Sequence, residues 1–362
     1  MSLQKIFKDK RIIVCSGSGG VGKTTTAAAI ALEAAMRGQK AIVLTIDPAK
    51  RLATAMGLDA LGNAPKEISL PGARGRLFAM MLDTKRTFDR LIERHIADPK
   101  KRQTIFDNRL YQHMSSMIAG SQEYMAMEKL HEIYREGVYD LLVLDTPPTR
   151  HALDFLDAPR KMANITGNSL LEWFLKPGVF TGRASRLGLG VLQKSAEKIL
   201  AVFDRLAGFS FLHELADMLS LLANMMGGFH ERAEAVSDLL HREFVGFLLV
   251  TSPSSVSIQD ALYFYERIEE ENLPFIGFIV NRVHEPDLAS AENLPQGLSA
   301  SLRLKLIDQV RNYQQLAQRD QRAVTLLKKM GGKSPAYVTI PLFAGDVHDL
   351  EGLQRMNESL FA

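Results

Sequence analysis

Gly17-Ser18-Gly19-Gly20-Val21-Gly22-Lys23-Thr24 fits the spacing G-x-x-x-x-G-K-[ST] of a phosphate-binding loop. The chemistry follows from the residue types. Glycines let the backbone come close to a ligand, and successive N–H groups curl around an anion. The following helix start, with Thr25 in its first turn, adds the positive end of its dipole. Lys23 is placed to reach the β- and γ-phosphates of a nucleoside triphosphate, and Thr24 to ligate Mg²⁺. The bland alternative is a glycine-rich turn that binds nothing. An apolar run before the loop and a helical run after it supply the context that the motif requires.

Two carboxylates stand at comparable places. Leu141 to Leu144 are four apolar residues closed by Asp145, the Walker B pattern, whose acid binds Mg²⁺ directly or through water. Thr146-Pro147-Pro148-Thr149-Arg150-His151 follows at once. Its paired prolines make a stiff turn, suited to register a γ-phosphate and transmit its loss. Asp47-Pro48-Ala49 closes a second apolar run over 41–46. Asp47 there is either an active-site group at a strand's carboxyl end or the N-cap of the next helix.

The elements that position these groups alternate. Strands are expected over 11–16, 41–46, 77–82, 139–144, 244–250, 275–280 and 337–340. Helices are expected over 25–37, 83–97, 108–118, 122–135, 255–271 and 300–330, the last as one helix or two, with 57–75 as loop. Continuous apolar strands alternating with helices predict an α/β fold, a mainly parallel sheet flanked by helices. Residues 158–243 differ: they are helix-rich and carry Trp173, Phe174, Phe180, Phe203, Phe209, Phe211, Phe229, Met218, Met225 and Met226. This stretch is either an ordinary helical subdomain with methionine in its core or an adaptable apolar groove for a client. The expected division is a phosphate-loop core of 1–83, 138–157 and 244–362, with a helical subdomain of 84–137 and 158–243.

Composition narrows the class. The 362 residues are 46% hydrophobic and 23% charged, enough for a large core. The 44 basic and 41 acidic residues are mixed along the chain, with no basic block that would suit nucleic acid. No apolar run reaches the length of a membrane span, and the first residues lack the apolar core of a signal peptide. The single cysteine, Cys15, rules out a disulfide within the chain, so a reducing cytoplasm is the expected home.

Together these segments resemble the ArsA-type ATPases, which include the arsenite-pump ATPase and the relative that delivers tail-anchored membrane proteins, within the MinD/ParA-like class of P-loop NTPases. The likeness rests on the phosphate loop, Asp47-Pro48-Ala49, the 145–151 segment, Asn281 and Pro341-Leu342-Phe343. It implies that Asp47 orients the attacking water or acts as its base. It implies switch roles for Pro48, Thr146, Pro147, Pro148 and Arg150. By the same resemblance Asn281, Pro341, Leu342 and Phe343 hold adenine, the helical region binds a client or substrate, and a homodimer, or a heterodimer with a related ATPase, closes over ATP. The preference for ATP over GTP rests on the resemblance alone. The alternatives are a nucleotide-gated, non-transport interaction protein of MinD type and the ATPase subunit of an anion or metalloid efflux system.

Three departures matter. The class carries a signature lysine where this chain has Ser18, and a neutral hydroxyl cannot bring positive charge to a partner's γ-phosphate. Either another cation substitutes, with Lys50, Arg51 and Arg150 as candidates, or a partner subunit supplies the lysine, or hydrolysis is slow. One cysteine cannot reproduce the paired thiols that bind zinc between the eukaryotic targeting subunits, so no zinc is expected. Nor can one cysteine form an arsenite site built from several thiols, which counts against the efflux alternative. Asp47→Asn is expected to retain ATP binding and stall hydrolysis in a single-turnover assay. Loss of binding itself would instead make Asp47 a structural cap.

Overall fold

The computed structural model describes residues 3–46, 51–96, 98–107, 111, 121–146, 232, 234–286, 297–331 and 335–362. All but Tyr111 of the expected helix over 108–118, nearly all of the aromatic and methionine-rich 158–243 stretch, and the Asp47–Ala49 segment lie outside the described residues.

The chain opens with a short helix α1 (Ile6–Asp9) and strand β1 (Ile12–Ser16), followed by helix α2 (Lys23–Met36), strand β2 (Lys40–Thr45) and helix α3 (Arg51–Ala55). Strands β3 (Lys66–Ile68) and β4 (Arg76–Met81) precede helices α4 (Thr84–His95), α5 (Pro99–Asp107) and α6 (Ser121–Glu136). Strands β5 (Leu141–Asp145) and β6 (Val245–Thr251), helix α7 (Ser255–Glu270) and strand β7 (Phe275–Val283) come next. Helix α8 (Ala300–Met330), strand β8 (Ala336–Pro341) and helix α9 (Leu350–Leu360) complete the described elements.

Contacts divide the chain into two compact units. The first comprises Met1–Asp83, Lys129–Asp154 and Asp238–Ala362; the second comprises Thr84–Glu128 and Phe155–Ser237. The first unit holds an eight-stranded sheet in the order β3-β4-β2-β5-β1-β6-β7-β8. Every adjacent pair is parallel except β3–β4. The centre is β1, β5 and β6, whose residues are all buried, as strands covered by helices on both faces must be. Because these strands run the same way, the segments after β1, β2, β5, β6, β7 and β8 all leave from one edge, where sheets of this type collect ligands.

Helix α2 seals one face of the sheet. Ala27, Ala28, Ala29, Ile30, Ala31 and Leu32 are wholly buried, and the small alanines permit close approach to the strands. Helix α9 then covers α2. Its Leu353, Met356 and Leu360 join the same core, and Asn357 Nδ2 donates to the Ala29 carbonyl at 2.9 Å. Asp349 caps its start by accepting from the Gly352 N–H at 2.7 Å. The acid-rich tail is thus an integral layer of the first unit.

The structure differs from the sequence expectation at β3, an antiparallel strand inside the 57–75 stretch. Two of its three residues are exposed, so no apolar pattern marks it; only Ile68 is buried. The second unit contains α4, α5 and the first half of α6. There the Tyr111 hydroxyl donates to Asp89, and Arg232 pairs with Glu128 at 3.3 Å. Among the described residues, no helix is long and apolar enough to cross a membrane.

Leu353→Ala empties a fully buried site in the core. It is expected to lower stability by about 2–5 kcal/mol in urea unfolding followed by circular dichroism. Leu304→Ala, at a residue 65% exposed on α8, should stay within about 0.5 kcal/mol of the parent.

Candidate functional site

The phosphate loop leaves β1 and enters α2 at Lys23. Two of its glycines are forced by space as well as by backbone. Gly17 has φ +151°, and a Cβ there would stand 2.0 Å from the Val250 carbonyl oxygen of β6. Gly22 is left-handed at φ +97°, and its Cβ would meet Asn281 Nδ2 at 2.2 Å. Gly20, at φ +77°, faces open space. Val21 anchors the loop in the core, and the Thr26 hydroxyl donates to the Gly22 carbonyl at 2.9 Å.

Lys23 is buried, and its Nζ donates to the Ser18 carbonyl at 2.8 Å. The ammonium is therefore held across the loop that it serves. Ser18 Oγ, by contrast, is shielded from solvent and has no hydrogen-bond partner among the described residues. A buried hydroxyl left over beside a ring of glycine backbone suits an anionic ligand that completes it.

Asp145 is fully buried at the end of β5. Its Oδ2 accepts from the Thr24 hydroxyl of α2 at 2.7 Å and from the Thr45 hydroxyl of β2 at 2.7 Å. The sheet register fixes this meeting, since Asp145 lies opposite both Cys15 and Thr45. These are hard oxygen donors, one of them a carboxylate. Mg²⁺ commonly takes such a set when phosphate oxygens and water fill the remaining positions. Among the described residues there is no group of three or more His, Cys, Asp or Glu side chains placed to hold a metal by itself. Thr146 follows, buried, with its hydroxyl donating to the Cys15 carbonyl at 3.0 Å. Burial pushes the Cys15 thiol far up, and the neighbouring Asp145 charge adds to this against the opposing effect of Lys23. That thiol stays protonated and inert.

A cavity of about 440 Å³ opens beside Gly22 and Thr25. Asn281, Pro341, Leu342 and Phe343 line it together, although β7 and β8 bring them from positions sixty residues apart in the chain. Asn281 is buried, and its Nδ2 donates to the Val21 carbonyl at 2.9 Å. Arg282 is left-handed at φ +64° and donates through Nη1 to the Gly20 carbonyl at 3.3 Å. The Leu342 N–H donates to the Val283 carbonyl at 3.0 Å, joining the two cavity-lining segments.

Of the residues singled out in the sequence, the structure brings Gly17 to Thr25, Asp145, Thr146, Asn281 and Pro341 to Phe343 to one edge of the sheet. Arg51, a candidate cation, lies on the cavity wall. Asp47, Pro48, Lys50, Pro147, Pro148 and Arg150 lie outside the described residues. The wall also includes Thr54, Asp346 and His348, which no motif marks. Thr45 did leave a signal: it is the one polar residue in the apolar run 41–46.

A mainly parallel sheet with a phosphate loop between its central strand and the next helix defines this protein as a P-loop NTPase. Within that class, the chain belongs to the anion-transporting ATPase family, whose pattern matches residues 10–318. It is similar to the ATPase ASNA1 homolog of Cryptosporidium parvum, with 24% identity over 339 residues, 91% of this chain and 82% of the relative. It is also similar to the putative arsenical pump-driving ATPase 1 of Aquifex aeolicus, with 25% identity over 294 residues, 78% of this chain and 66% of that one. A shorter likeness, 32% over 163 residues, relates it to the ATPase get3 of Aspergillus terreus, covering 44% of this chain and 46% of that one.

Gly22→Ala imposes a left-handed backbone on an L-residue, at about 1–2 kcal/mol, and also displaces Asn281. It is expected to weaken nucleotide binding more than Gly20→Ala, which carries the backbone cost alone. Equilibrium titration with a fluorescent ADP analogue measures both.

Proposed function

We propose that this chain is a Mg²⁺-dependent ATP hydrolase that couples ATP binding and turnover to rearrangement of a helical, client-binding subdomain. The observation that carries the reading is the meeting of Thr24 and Thr45 on Asp145 beside the phosphate loop. Hydroxyls and a carboxylate from three separate elements converge there on the side of the loop where phosphate oxygens would lie.

In this reading the amides of Gly17 to Thr25 and the Lys23 ammonium take the negative charge of the β- and γ-phosphates. Thr24 and Asp145 would hold Mg²⁺, which would supply charge neutralisation to the reaction. Asp47 orients a water molecule for in-line attack on the γ-phosphorus. The bond to the β–γ bridging oxygen breaks, ADP and inorganic phosphate leave, and the water's proton passes to the solvent or to the released phosphate. Asn281, Pro341, Leu342 and Phe343 receive the base, and Asn281 does so while buttressing Val21. Pro48, Thr146, Pro147, Pro148 and Arg150 form the switches. Thr146, tied to the end of β1, links the Mg²⁺ carboxylate to the second of them.

The proposed division is a core of 1–83, 138–157 and 244–362 and a client subdomain of 84–137 and 158–243. The aromatic and methionine side chains of 158–243 favour an apolar helical client, because such side chains repack around varied partners. The working assembly is a dimer of this chain or a pair with a related ATPase. In it the cation that Ser18 lacks comes from Arg51, Lys50 or Arg150, or from a partner's lysine. A metalloid-efflux role fits less well, since the single thiol is buried and protonated.

Lys23→Ala tests the site. Steady-state phosphate release is expected to fall by at least ~10²-fold, the loss typical of removing one donor to transition-state charge. Turnover at the parent rate in that variant would refute the assignment.

A further inference from the structure

Asp320 lies on α8, has no role in the site described above, and is fully buried. A buried carboxylate is costly unless donors meet its lone pairs. Four donors do so here. The His284 backbone N–H reaches Oδ2 at 3.1 Å and His284 Nδ1 reaches the same oxygen at 2.6 Å. Arg319 gives Nε and Nη2 to Oδ1 at 3.1 and 2.9 Å. Since a carboxylate only accepts, Nδ1 carries the proton. Burial pushes the Asp320 carboxyl up, but the bonds from His284 and Arg319 outweigh it and the net shift is down. The Tyr313 ring, also on α8, stands edge-on to the His284 imidazole at 5.3 Å.

His284 immediately follows β7, and that strand's end is irregular. The ladder to β8 shifts between Val280 and Val283, and Arg282 there takes a left-handed backbone. A non-glycine residue keeps such a conformation only where its surroundings over-determine it. One side of the bend is held by Asn281 on Val21 and Arg282 on Gly20. The other side is held by Asp320 on His284. Between the two, the Val283 carbonyl accepts from Leu342.

We propose that Asp320 and His284 are positioning residues for the nucleotide: their pair anchors the bend after β7 to α8, and so sets Asn281 and Arg282 against the phosphate loop and Leu342 against the base. Neither residue is among those lining the cavity. The pair acts on affinity and on base discrimination. This inference rests on the reading of the cavity as the base site.

The test uses the full chain. Mg·ATP and Mg·GTP affinities are measured by competition against a fluorescent ADP analogue, beside steady-state KM and kcat for ATP. Asp320→Ala and His284→Ala are expected to weaken ATP binding by about tenfold or more, the usual cost of losing a charged hydrogen bond. GTP binding should change less, so the ATP-over-GTP preference falls, while kcat stays within about twofold. His284→Asn, which restores a donor near the Nδ1 position, should recover most of the loss.

Should Asp320→Ala fail to fold, as judged by circular dichroism and its thermal midpoint, His284→Ala decides the matter. It leaves Asp320 paired with Arg319 and removes only a partly exposed ring. ATP affinity and base preference unchanged in His284→Ala would overturn the proposal, as would a fall in kcat at unchanged KM. Asn281→Ala separates the two readings. If Asn281→Ala weakens ATP binding and His284→Ala does not, only the positioning role fails. If Asn281→Ala has no effect, the base site fails and the positioning role with it.

Discussion

One oxygen of one buried carboxylate organises the first unit. Asp145 is withdrawn from solvent entirely, and an ionised group in that position is unstable unless it is met by donors. Its Oδ2 is met by threonines from β2 and from the first turn of α2. Those bonds require β5 to lie beside β2 in one register and α2 to start at one height above the sheet. The glycines of the phosphate loop then have little choice of path between β1 and α2. The demand of a single desolvated group thus propagates into strand order, register and the path of the loop.

The same edge shows how backbone carbonyls are used. Val21 and Gly20, whose oxygens point out of the phosphate loop, are taken by Asn281 and Arg282. Ser18 offers its carbonyl to Lys23. The loop is therefore gripped by side chains through its carbonyls, which fixes its path before anything binds.

Much of this was legible in the sequence because buried parallel strands must be continuously apolar. The run 41–46 marks β2, 244–250 marks β6, and 275–280 marks most of β7. The phosphate loop and Asp145 were legible because their chemistry fixes residue type and spacing together. β3 was not, since an exposed edge strand of three residues carries no periodic signal. Helix α9 did carry one, in Leu350, Leu353, Met356 and Leu360, whose spacing of three and four residues sets them on one helical face. The Asp320–His284 pair was invisible, because residues 36 apart announce no contact until the chain turns between them. Asp47 and the proline turn, legible as motifs, lie outside the described residues.

The docking of α9 on α2 bears on how the protein is made. Asn357 and Ala29, joined in that interface, are 328 residues apart. At ordinary rates of synthesis, roughly 5–20 residues per second, the ribosome needs on the order of 20–60 s to travel from one to the other. For that interval the alanine-rich back of the phosphate-loop helix has no cover from α9. The core of the first unit therefore closes only after α9 has been made.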